Sequence, residues 1–258
     1  MSYSDLLRKV IASQVEFSPL LLFKAGQYGA WYDPSDILTL FQDDSGTTPV
    51  TADGQGVGFM LDKSGNGNHL AQPDPTRKPV YRTDGTYHWL DFDGSNDVMQ
   101  ADGFSMDGKD QISIFSAIRR ERGNATEVAF AFTRLSSNFT ALVFRGSGSR
   151  TTMRCMTSTG SYDINTTTTF FDEDAVFFGN HISSDEDNTF YVNSNFIGDI
   201  VSSGTISNDS DLFYLGSDRP TGLHWQGRFY GFVAVDYNAE NDRKDVEEYL
   251  ANKSGAIL

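Results

Sequence analysis

Turn signals recur roughly every 8–12 residues along most of this chain, and that spacing limits it to short strands. Asp43-Asp44-Ser45-Gly46, Asp62-Lys63-Ser64-Gly65-Asn66-Gly67-Asn68-His69, Asp93-Gly94-Ser95-Asn96-Asp97 and Asn193-Ser194 are the clearest. Their residues tolerate positive φ or bond their own backbone. Short strand-like segments lie between them, among them Val57–Leu61, Tyr87–Phe92, Gln111–Arg119, Glu127–Thr133, Thr140–Arg145, Met153–Thr157, Asp174–Ile182 and Leu212–Gly216. Gln111–Arg119 alternates, with Ile112, Ile114 and Ile118 on one face. Thr166–Thr169 reads as an edge strand, and Thr189–Val192 with Asn195–Asp199 as a hairpin. Trp225–Asp236 differs, because both of its parities are apolar: Phe229, Val233 and Val235 on one, Tyr230, Phe232 and Ala234 on the other. Such a strand belongs between two packed layers. Two helices are predicted. One is short, Tyr3–Ile11. The other is Asn238–Ala251, with Asn238 as its cap, Val246, Tyr249 and Leu250 as its apolar face, and Gly255 beyond its end.

Composition agrees with a β-rich chain. Asp outnumbers Glu by 27 to 8, and Asp favours turns where Glu favours helix interiors. The hydrophobic share is 38%, but 20 Phe, 11 Tyr and 3 Trp carry the burial. The 258 residues suit one large all-β domain or two small ones. No internal repeat and no long linker marks a second one. The expected fold is an all-β, two-sheet antiparallel jelly-roll sandwich over 29–258, ending in a helix. A short N-terminal helix and extended arm over 1–28 precede it. The formal charge of −15 repels phosphate, which argues against nucleic acid and anionic lipid as partners. No run reaches the roughly 18 apolar residues of a membrane helix, and no secretory signal is expected. The single cysteine, Cys155, excludes an internal disulfide and points to a reducing cytoplasm as the place of folding.

Three segments, "GAWYDPSD", "LDKSGNGNHLAQ" and "WLDFDGSNDVM", resemble the opening of the concanavalin A-like lectin/glucanase superfamily. They are most similar to the laminin-G-like jelly rolls of tailed-phage structural gene clusters. "FYVNSNFIGD" resembles that family's strand-turn-strand, and "LFYLGSDRPTGLHWQGRFYGFVAVD" with "EEYLANK" its closing strand and C-terminal helix. The resemblance covers about Gly29 to Lys253, and "FSPLLLFKAGQ" resembles the lead-in of these phage proteins. It implies a non-enzymatic virion component, made in the host cytoplasm and displayed on the particle as a capsid decoration or tail-associated module. The implied partners are other virion proteins, copies of the chain itself and, in the alternative reading, a host surface glycan.

Catalysis finds little footing. Glucanases on this fold use two glutamates on one strand face, and none of the 8 Glu fits that spacing. Glu240 and Asp242 come nearest, but Lys244 breaks the pattern. Glu247-Glu248 are adjacent on the helix, and Asp185-Glu186-Asp187 reads as a solvated turn. His69, His88, His181 and His224 flank no nucleophile elbow. No cofactor is expected beyond a structural calcium. Its candidate ligands are Asp62, Asn66 and Asn68, and a second set of Asp93, Asn96 and Asp97. The alternative reading for both sets is turn closure. Trp225 and His224, beside the loop holding Asp218 and Arg219, form the candidate carbohydrate site, with a packing role as the alternative reading for Trp225. Trp31, Tyr32 and Trp89 are assigned to the core. Leu6, Leu7, Val10, Phe17, Leu21 and Phe23 form the candidate docking arm, with folding back onto the sandwich as the alternative.

Overall fold

The structure is a computed structural model, which describes residues 17–123, 125–132, 140–145, 150–166, 170–207 and 211–258. Its strands are β1 Gly29–Tyr32, β2 Leu40–Phe41, β3 Phe59–Met60, β4 Leu70–Ala71, β5 Val80–Thr83, β6 His88–Asp93, β7 Met99–Asp102 and β8 Gln111–Arg120. They continue as β9 Glu127–Phe132, β10 Thr140–Arg145, β11 Arg150–Thr157, β12 Gly160–Asn165, β13 Asp174–Ile182, β14 Ser184–Val192, β15 Asn195–Ser203, β16 Leu212–Leu215 and β17 Gln226–Val235. Among the described residues one α-helix, α1, covers Arg243–Ser254.

The strands form the expected two antiparallel sheets. One has eight strands, ordered β15-β14-β13-β8-β17-β6-β5, with β1 also paired to β17. The other has nine, ordered β12-β11-β10-β9-β16-β7-β4-β3-β2. Alternation sends Ile112, Ile114 and Ile118 into the core between them. Phe213 is its centre, with ring centroids 4.9 Å from Phe132 and 5.0 Å from Phe232. Each such ring removed from water stabilises the fold by about 1.5–3 kcal/mol.

The eight-stranded sheet is covered on its other face as well. There α1 brings Val246 and Leu250, and a 3-10 turn, Pro19–Phe23, brings Leu22 and Phe23, against Phe115, Phe178 and Val233. This second layer is why β17 is apolar on both parities. Strict alternation is broken, however, by a bulge between Phe229 and Gly231. Phe229, Phe232 and Ala234 face the sheet-to-sheet core, while Tyr230, Val233 and Val235 face α1.

The described part of the N-terminal arm folds back, as the alternative reading had it. Phe23 is buried, Phe17 packs partly against the helix-covered layer, and Leu21 stays exposed. Leu6, Leu7, Val10 and the helix expected at Tyr3–Ile11 lie outside the described residues, as do 167–169 of the expected edge strand. The C-terminal helix starts at Arg243 and not at Asn238. The Asn238 side chain instead accepts from the Glu240 N–H at 3.2 Å and closes a preceding turn. Gly255 ends the helix at φ 82°, as its position foretold. Gly29 is required for a different reason. A Cβ there would lie 1.8 Å from the Ala234 carbonyl oxygen, across the β1–β17 pairing.

Candidate functional site

The period of two in β7 and β16 divides their residues between two environments. Met99, Ala101, Phe213 and Leu215 point into the core. Gln100, Asp102 and Tyr214 take the other face of the nine-stranded sheet, with Gln100 opposite both Tyr214 and Ala71. Two loops rise beside them. One runs from Gln72 through a 3-10 turn, Pro75–Arg77, and the other is residues 217–223. Between the loops lies a groove of about 280 Å³. Ala71, Val98, Tyr214, Pro73 and Pro220 give it apolar surface, and Gln72, Gln100, Asp102 and Arg77 give it polar groups.

The polar groups are held in place. Gln100 Nε2 donates to Asp102 Oδ1. Gln72 Nε2 donates to the Val98 carbonyl at 2.6 Å, and its Oε1 accepts from the Asp74 N–H at 3.0 Å. Burial raises the Tyr214 hydroxyl above its ordinary pKa, and the Asp102 charge adds to this, so it stays a neutral donor. Arg77 ties the walls together, since its Nε donates to the Asn96 carbonyl at 3.3 Å and its Nη2 to the Pro220 carbonyl.

The two sets of residues singled out by sequence, Asp93–Asp97 and Asp218–Trp225, meet behind this groove as its supports. Asp93 Oδ1 accepts from the N–H of Ser95 and of Asn96, while Asn96 Nδ2 donates to the Thr76 carbonyl. Asp218 Oδ1 accepts from the Leu223 N–H at 2.8 Å and so closes the opposite wall. Arg219 is exposed and pairs with Asp218 at 3.6 Å. Burial lowers the His224 pKa, against a bond from its ring to the Asp97 backbone. Trp225 is fully buried, 5.5 Å from the Phe92 ring, so it offers no face to a sugar. The sugar assignment is corrected and the packing alternative describes this residue: the tryptophan anchors the loop, and the groove lies beyond it. Trp31 and Tyr32 are core residues, and Trp89 is half-buried under Arg228.

Asp97 is the strained member of the support. Burial, then the charges of Asp93 and Asp91, push its carboxyl up to about 7. A carboxyl raised in the folded state binds a proton that the unfolded chain has released. Its contribution is therefore whole below the ordinary 3.8 and is lost as pH rises towards about 7. Asp97→Asn keeps an oxygen for the Asp93 N–H now bonded at 3.0 Å. The variant is expected to exceed the wild type by about 1–2 kcal/mol at pH 8, a shift of about 2–8 °C in Tm, and to match it near pH 4. Equal melting at pH 8 would remove this account of Asp97.

The other expected ligand set is turned inward. Asp62 Oδ1 accepts from the Trp31 and Ser64 N–H groups, and Oδ2 from Ser64 Oγ and the Asn68 N–H. Asn66 and Asn68 both donate to the Gly29 carbonyl, at 3.1 and 2.8 Å. Their alternative reading, turn closure, describes this loop. No group of three or more His, Cys, Asp or Glu among the described residues is arranged to hold a metal ion. A second cavity, of about 390 Å³, lies by Asp33, Asp36, Lys63 and Lys253, but its charges are paired to one another.

A scan against protein-family models and a search of curated proteins return no match. Solved structures do match the fold. An arabinofuranosidase complexed with arabinofuranosyl-α-1,2-xylobiose aligns at TM-score 0.62 and 14% identity, over 92% of this chain and 65% of that one. The chain thus spans about two thirds of that enzyme's length. Domain 4 of AbnA, an extracellular GH43 arabinanase of Geobacillus stearothermophilus, in complex with arabinotriose, aligns at 0.58 and 13%, over 81% and 92% of the two chains. The binding domain of botulinum neurotoxin serotype D aligns at 0.56 and 10%, over 75% and 49%. These likenesses place the chain among β-sandwich domains.

Proposed function

We propose that the chain is a non-enzymatic recognition module of a tailed-phage particle, which holds a saccharide in the groove on its nine-stranded sheet. The groove itself carries the reading. A sugar presents a C–H face and a rim of hydroxyls, and the groove sets Tyr214, Val98 and Pro220 beside Gln100, Asp102 and Arg77. The matched arabinanase domain, which was solved with arabinotriose bound, supports a saccharide as ligand. Retaining and inverting hydrolases need two carboxyl groups across the bond they cut, and Asp102 is the one carboxylate of the groove's described lining. The virion placement, as capsid decoration or tail module, rests on the sequence resemblance, and the charge of −15 suits a displayed surface. Other virion proteins and further copies of the chain are then its fixed partners.

A glycan array tests the groove. Wild-type protein is expected to retain a defined set of saccharides, and the exposed double variant Gln100→Ala/Asp102→Ala to bind them about 10-fold or more weakly. Unchanged binding would move the site elsewhere. Gold-labelled antibody on intact particles tests the placement: label on head or tail is expected, and protein absent from the particles would end the virion reading.

A further inference from the structure

The groove holds a cation that forms no ion pair among the described residues, although Asp74 and Asp97 lie near enough to feel its charge. Arg82, Arg119, Arg120, Arg122, Arg154, Arg219, Arg228 and Arg243 each reach a carboxylate. Arg77 reaches none among the described residues. Its two bonds go to neutral carbonyls, those of Asn96 and Pro220. These fix the guanidinium plane without cancelling its charge, and Nη1 has no acceptor among the described residues. The nearby acids that feel its charge make their hydrogen bonds elsewhere. Asp74 Oδ1 accepts from the Thr76 N–H and hydroxyl, at 2.9 and 2.8 Å. Asp97 Oδ2 accepts from the Asp93 N–H. Asp102 Oδ1 accepts from Gln100, within the groove.

A fixed guanidinium with no ion-pair partner is a receptor for a planar anion. Its fork matches a carboxylate, and a bond between ionised partners is about twice as strong as a neutral one. We propose that the groove takes an acidic saccharide, with a uronic acid carboxylate on Arg77 and sugar hydroxyls on Gln100 and Asp102. This rests on the saccharide reading of the groove. The charge of −15 restricts the ligand further. Surface charges act over roughly 8–10 Å at physiological salt. A single carboxylate at contact range is therefore governed by Arg77, whereas a densely sulfated chain crossing the surface meets repulsion.

The test pairs each acidic sugar with its neutral twin. Oligogalacturonides and oligoglucuronides are titrated calorimetrically against the intact protein, beside the same oligomers with the carboxyl reduced to an alcohol. The acidic member is expected to bind about 10-fold tighter or more, with a preference that shrinks as sodium chloride is raised. Arg77→Gln is expected to bring the two members within about twofold, and Arg77→Lys to restore the preference only in part. Equal binding of the two by wild-type protein overturns the inference and leaves the saccharide reading standing. No binding of either member overturns both. Acetate or inorganic phosphate binding as tightly as the oligouronides would show an anion site with no saccharide component, and would overturn the inference too. The wild-type comparison decides the matter even if Arg77→Gln does not fold.

Discussion

Replacing Glu127 by alanine is expected to cost about 3–5 kcal/mol of stability, because it strands a buried charge. Glu127 is 0% exposed and Arg120 only 2%, and they meet at 3.0 Å. Arg120 belongs to β8 of one sheet and Glu127 to β9 of the other, so the pair staples the two layers. Arg122 adds a second contact to Glu127, at 2.7 Å, and its other nitrogens donate to the carbonyls of Gly94 and His224. Losing the carboxylate leaves Arg120 without its anion and frees the loops that support the groove. Thermal melts should show a fall on the order of 10 °C or more for a chain of this length. Arg122 is partly exposed, so Arg122→Gln is expected to cost only about 1 kcal/mol. The double change Glu127→Met/Arg120→Met should recover much of the loss, since no buried charge is then left unpaired. A loss below about 1 kcal/mol for Glu127→Ala would mean that water reaches Arg120.

How far the sequence foretold this fold depends on which signal each element used. The strands were legible because period-two burial is a direct imprint of a sheet with one face on a core, as in Ile112, Ile114 and Ile118. The two-sided burial of β17 was legible for the same reason. Its parity was not, because the bulge at Phe229–Gly231 adds a residue that no local pattern marks. The start of α1 was misread because Asn238 is a good cap by type, while its side chain closes a turn just before the helix.

The groove was less legible than its supports. Turn residues announce themselves, and Asp93, Asn96, Asp97, Asp218 and His224 all fell close to the site. Trp225 was read both as a sugar platform and as a packing residue, because sequence does not reveal which aromatic is buried. Gln100, Asp102, Tyr214 and Arg77 went unnoticed, since each is unremarkable alone and they come from three places in the chain. One signal was available. Met99-Gln100-Ala101-Asp102 alternates apolar and polar, so a strand there must expose Gln100 and Asp102 on the face away from the core. That β16 lies beside it and adds Tyr214 follows only from strand order.

The opening motif "GAWYDPSD" makes the other large prediction, through Asp33. This carboxylate is 2% exposed and gathers partners from three parts of the chain. Oδ1 accepts from the Ser35 N–H and hydroxyl. Oδ2 accepts from Lys63 at 3.2 Å and from the Tyr249 hydroxyl at 2.8 Å, with Lys253 at 3.8 Å. It therefore joins β1 to the Lys63 loop and to the end of α1. Burial alone would raise its pKa, but the Ser35 bond and then Lys63, Lys253 and Tyr249 outweigh it, so the carboxyl lies below 3.8. A group depressed in the folded state contributes stability that is present above its unfolded pKa and lost as pH falls through the folded one. Asp33→Asn is expected to cost about 2–4 kcal/mol at pH 7, less than Glu127→Ala because both lysines can turn to water. The gap between variant and wild type should be constant from pH 8 down to about pH 5 and should close below the unfolded value of 3.8. Urea unfolding across that range is the measurement. A gap that persists unchanged at the acid end would show that the Asp33 bonds act through shape and not through charge. The motif would then hold α1 in place by packing Trp31 against Tyr249, whose ring centroids lie 6.0 Å apart.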